Sequence, residues 1–112
     1  MEGERVIAKL NRLLKKYESN DSAYAVIVNT MGVVKGAYSA AEECRIGYVL
    51  DRVATLSRYC EYCTKRGLPD EVCTEITAVL WVVNTDIPEI LREKCGCRVN
   101  WKSEGSRYEE QR

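Results

Sequence analysis

The chain of 112 residues contains no histidine, and Gln111 is its only glutamine. Without histidine the commonest general base is missing, and the Ser-His and Cys-His nucleophile systems are excluded. No G-x-x-x-x-G-K-[ST] or G-x-G-x-x-G run is present to cradle a nucleotide phosphate. Net charge is also missing: 17 basic residues balance 17 acidic ones, so any electrostatic partner must be met by a local patch. No apolar run approaches the ~18 residues of a membrane span. The opening MEGERVIAKLNRLLKK has no unbroken apolar stretch of the kind a signal peptide needs. These absences predict a cytoplasmic protein that is not an enzyme and binds no cofactor or metal.

Acid is mostly glutamate, amides are few, and lysine is plentiful, which is the hyperthermophile tendency. That bears on the six cysteines, because intracellular hyperthermophile proteins are the exception to the rule that cytosolic thiols stay reduced.

A chain of this length makes one domain and can bury a core of its own. Arg5 to Tyr17 predicts an amphipathic helix, with Val6, Leu10, Leu13, Leu14 and Tyr17 at helical spacing. Ser19-Asn20-Asp21 ends it. Ala23 to Asn29, AYAVIVN, is apolar on both faces and reads as a central strand. Thr30-Met31-Gly32 would turn the chain into a second strand, Val33 to Ser39. Ser39-Ala40-Ala41-Glu42 has the form of a capping box, so a long helix is expected from Ala40. Lys65-Arg66-Gly67 and Pro69 would end it. Ile76 to Asn84, ITAVLWVVN, fits a helix or a buried strand, and its β-branched content favours the strand. Asp86-Ile87-Pro88-Glu89 reads as a further helix start, with Gly96 as its stop. Arg98 to Trp101 is a last candidate strand. The expected fold is therefore an α/β (or α+β) layered domain over residues 1–101, ordered helix, strand, strand, long helix, strand, helix, strand, with a charged, mobile tail over 102–112.

The cysteines are Cys44, Cys60, Cys63, Cys73, Cys95 and Cys97. A zinc site would join Cys60-Glu-Tyr-Cys63 to Cys95-Gly-Cys97 as four thiolates, but a helix is a poor place for the first pair. A redox dithiol belongs at a helix N-terminus, and this pair sits near a C-terminus, where the dipole disfavours thiolate. Two structural readings remain open: bridges between distant segments, such as Cys63 to Cys95, and simple core packing.

Arg5, Lys9, Arg12 and Lys16, flanked by Lys15, form one basic stripe on the first helix. It is a candidate face for nucleic acid or an acidic partner, weighed against an ordinary solvated face. Trp101 between Arg98 and Lys102 could stack a base or cover the core. Tyr48 and Tyr59 fall opposite the apolar arc of the long helix and are candidates for a partner surface.

The amphipathic first helix, then AYAVIVNTMGVVKGAYSA, then the long helix resemble the roadblock/LC7 family of small dimeric scaffolds and GTPase regulators. The second half departs from that family's order. The resemblance implies a homodimer formed by sheet or long-helix pairing and no catalytic residues. The function these features predict is a small homodimeric interaction or regulatory scaffold, with a nucleic-acid-binding module as the alternative.

Overall fold

The computed structural model describes residues 2–99, 110 and 111. It is a bundle of four helices: α1 (Glu2–Lys16), α2 (Asp21–Glu42), α3 (Ile46–Lys65) and α4 (Asp70–Cys95). Short turns make sequential neighbours antiparallel. Helix α2 packs on α1, α3 and α4, and α4 packs in turn on α1 and α3. The only strands among the described residues are two-residue pieces, Arg98–Val99 (β1) paired antiparallel with Glu110–Gln111 (β2).

The expected α/β layering is therefore wrong: 23–29, 33–39 and 76–84 are all helical. Helix α2 explains why they read as strands. Its buried set includes Ala23, Val26, Ile27, Thr30, Val33, Val34, Ala37, Tyr38 and Ala41. These positions recur at steps of one and three, which is helical, but three neighbouring helices widen the stripe beyond one face. A short window then looks apolar on both sides of a strand. Thr30 is the buried polar residue of the core, and its hydroxyl donates to the Val26 carbonyl at 2.6 Å. That bond answers the need to satisfy a buried polar group and also keeps the residue in helix. Gly32, expected in a hairpin turn, is an exposed residue in mid-helix.

Two start signals are likewise internal. Ser39 to Glu42 lies in the last turn of α2, and Asp86 to Glu89 lies within α4. Pro88 removes one backbone donor from the α4 ladder, but packing on both sides carries the helix through it. The true start of α2 is capped by Asn20, whose side chain accepts from the Ala23 N–H at 3.2 Å.

Three helices end in one way. After α3 and α4 a left-handed residue, Gly67 (φ 65°) or Gly96 (φ 68°), is followed by a residue whose N–H reaches back six positions or fewer: Leu68 to the Cys63 carbonyl, and Cys97 to that of Leu91. After α2 the same turn is made by Cys44 (φ 60°), with Cys44 N–H on the Ala41 carbonyl and Arg45 N–H on that of Ala40. A non-glycine residue there carries a cost of roughly 1–2 kcal/mol. Cys44 is held because it is bridged to Cys95, 51 residues away at the end of α4. Of the two readings left open, a bridge between distant segments is found here, but Cys95 takes Cys44 as its partner and not Cys63, and the other cysteines are free thiols.

The sheet-and-helix scaffold implied by the roadblock/LC7 resemblance does not fit this all-helical core, because the hairpin that carried the likeness is one helix, α2. No described helix is long and apolar enough to cross a membrane. Trp101 and residues 102–109 of the expected tail lie outside the described residues, as does Arg112.

Candidate functional site

The thiols divide by position. Cys60 and Cys63 sit in the last two turns of α3, and Cys73 faces them from the first turn of α4. Cys63 is fully buried and hydrogen-bonded to Cys73, and Cys60 is half-buried against Thr77. The Cys73 thiol also lies 3.8 Å from the Leu68 carbonyl in the turn between the helices. Burial, reinforced by the Cys73 contact, pushes the Cys63 thiol up to about 12, and burial likewise raises Cys60. Thiols in that state are poor nucleophiles at neutral pH. Cys97, half-buried, and the Cys44–Cys95 bridge lie at the other end of α4. Some 22 residues of helix separate Cys73 from Cys95, roughly 33 Å at 1.5 Å per residue. The two cysteine pairs of the zinc reading are thus far apart. Among the described residues no three donors are grouped to hold a metal ion.

The basic stripe is real as a stripe: Arg5, Lys9, Arg12, Lys15 and Lys16 are all exposed on α1. Its field is not purely positive. Lys9, Arg12 and Lys16 line a groove together with Leu13 and two acids of α4, Glu71 and Glu75. The Lys16 ammonium lies 2.6 Å from Glu71 Oε1, and the Tyr17 hydroxyl donates to the same oxygen at 2.9 Å. The Lys16 bond and then the Tyr17 bond hold the Glu71 carboxyl below its usual range, while the same pairing raises Lys16. These groups tie the end of α1 to the start of α4.

The two tyrosines separate. Tyr48 is 43% exposed, and the guanidinium groups of Arg45 and Arg52 each lie 5.1 Å from its ring centroid. Tyr59 is half-buried against the core and lines a groove between α2 and α3 with Asn29, Arg58 and Tyr62. Tyr24 (42%) and Val28 (41%) stand exposed one turn apart on α2.

Among the described residues the largest exposed apolar side chain was missed in the sequence. Trp81 is 72% exposed, on the side of α4 opposite the buried line Val72, Ile76, Val79, Val83 and Ile87. Within ITAVLWVVN it reads as one more strand residue. The signal that would have found it is the helical alternative: at 100° per residue Trp81 falls close to half a turn from Val72, Ile76, Val79 and Val83. Its neighbours one turn away, Thr77 and Thr85, are exposed and uncharged.

No protein-family model, curated protein or solved structure matches this chain.

Proposed function

We propose that the protein is a small non-enzymatic interaction module, a regulatory or scaffolding protein that works as a homodimer in the cytoplasm of a thermophile. The observation that carries this reading is Trp81, 72% exposed at the middle of the longest helix while the core behind it is already filled. Tryptophan, tyrosine and arginine are the residue types that concentrate binding energy at protein interfaces. A rigid helical surface that presents them loses little entropy on binding. The Cys44–Cys95 bridge supports the thermophile assignment, since intracellular proteins of such organisms retain disulfides.

The nucleic-acid alternative has less behind it, because Glu71 and Glu75 share the groove of Lys9, Arg12 and Lys16. Acids in a basic stripe work against phosphate binding. Light scattering on the eluting full chain tests the main reading. The expected mass is twice the 12.8 kDa of one chain at high concentration. A mass of one chain at every concentration would sink it.

A further inference from the structure

The outward face of α4 carries a pattern that is symmetric about Trp81. Along that face lie Asp70, Thr74, Thr77, Trp81, Thr85, Pro88 and Arg92. The steps are four, three, four, four, three and four, so the spacing reads the same in both directions. Such steps keep one seam facing a neighbouring helix, as in coiled-coil packing. All are exposed but Pro88, which is half-buried. Between the two end residues the seam is uncharged, in a chain of which 30% is charged. The ends are opposite in sign: Asp70 stands eleven residues before Trp81, and Arg92 eleven after it.

We infer that this seam is the homodimer interface and that its occupant is α4 of a second copy, running antiparallel. The inference rests on the homodimer reading above and assigns the surface to it. A two-fold axis at Trp81 places each Asp70 opposite the other copy's Arg92, and each Thr77 opposite the other copy's Thr85. A parallel pairing would instead set Asp70 on Asp70 and Arg92 on Arg92, so the charges select the antiparallel arrangement. Small threonines on either side leave room for two indole rings to pack at the centre, where a desolvated aromatic contributes most. Arg92 also lies 3.5 Å from Glu89 of its own helix, a side-chain pair about 60% exposed that an interchain partner can share. The acidic Glu71 is already engaged by Lys16 of its own chain, so it does not leave an unpaired charge at the rim. A single helix pair about 33 Å long lies at the small end of specific interfaces, so the dimer should dissociate in the micromolar range.

Sedimentation equilibrium of the full chain from about 1 to 500 μM, spanning that range, tests this. Wild type is expected to pass from one chain mass toward two. Trp81→Lys should weaken association more than about 30-fold, as loss of a central aromatic anchor does. Asp70→Arg and Arg92→Asp should each weaken it about 10-fold, because each places like charges together at both ends. The double variant Asp70→Arg/Arg92→Asp should regain association to within a few-fold of wild type. These swaps oppose the dipole of α4, so circular dichroism melts track folding separately. If wild type is dimeric and Trp81→Lys is equally so, the seam is overturned while the homodimer reading stands. If single and double charge variants are equally weak, the antiparallel register is overturned. A monomer at every concentration defeats both readings.

Discussion

Replacing Cys44 by glycine should change stability in opposite directions depending on redox state. Cys44 occupies a left-handed position, φ 60°, where α3 and α4 use glycine. It also anchors a bridge to Cys95 across 51 residues. In the chain-entropy treatment a loop of that length is worth about 4 kcal/mol. Glycine at the left-handed position recovers about 1 kcal/mol of backbone strain. Under oxidising conditions Cys44→Gly should therefore destabilise by about 3 kcal/mol, and in reductant it should stabilise by about 1 kcal/mol. With a urea slope of about 1.5 kcal/mol per M, the midpoint should fall by about 2 M in the first case and rise by roughly 0.7 M in the second. Urea unfolding followed by helical ellipticity, with and without dithiothreitol, reads both numbers. Cys95→Ser is the control: it removes the bridge and leaves Cys44 in place, so it should match reduced wild type. If Cys44→Gly lowers the midpoint equally in both conditions, the Schellman turn at Cys44 or the bridge is wrong.

Three further outcomes follow from named residues. Gly32→Ala should stabilise by roughly 0.5–1 kcal/mol, because the added methyl meets open space on an exposed helix and alanine is the better helix former; destabilisation would instead point to a turn at that position. Cys63 should resist alkylation in the native protein at neutral pH, since its thiol is pushed up to about 12, and should react at the rate of an ordinary thiol only after unfolding; mass mapping of iodoacetamide adducts checks this, and early labelling of Cys63 would contradict it. Glu71 is held below its usual carboxylate range in the folded state, so its contribution is present above that range and lost as pH falls through the lowered value. Glu71→Gln should therefore flatten the acid limb of stability against pH, and an unchanged slope in denaturation series at acid pH would refute the pairing with Lys16 and Tyr17.

Some of this fold could be read from the residues and some could not. Helix α1 was legible because it packs on one side only, so Val6, Leu10 and Leu13 form a narrow stripe with charge behind it. The stops at Gly67 and Gly96 were legible because glycine announces a left-handed turn. The stop of α2 was hidden, since a bridged cysteine takes glycine's place at Cys44. Helix α2 itself was misread because contact with three helices spreads its apolar residues, and valine and isoleucine carry strand propensity that tertiary packing overrides. Pro88 and the acid before it imitate a helix start, yet α4 continues through them. Reading α4 as a strand also hid the seam, because Asp70, Trp81 and Arg92 share a face only at helical spacing. Of the cysteine readings, the bridge offered from Cys63 to Cys95 does not form: Cys95 pairs with Cys44, and Cys63 is a free thiol buried in the core, with Cys60 half-buried beside it.

The most direct test of the account is the emission of Trp81 as concentration changes. In a Trp101→Phe background Trp81 is the only tryptophan, since the chain has two. If α4 pairs with a second copy, its emission should shift to the blue as the protein is concentrated through the micromolar range, in step with the rise in mass. An emission maximum that stays at the fully solvated position while the mass doubles would contradict an interface centred on Trp81.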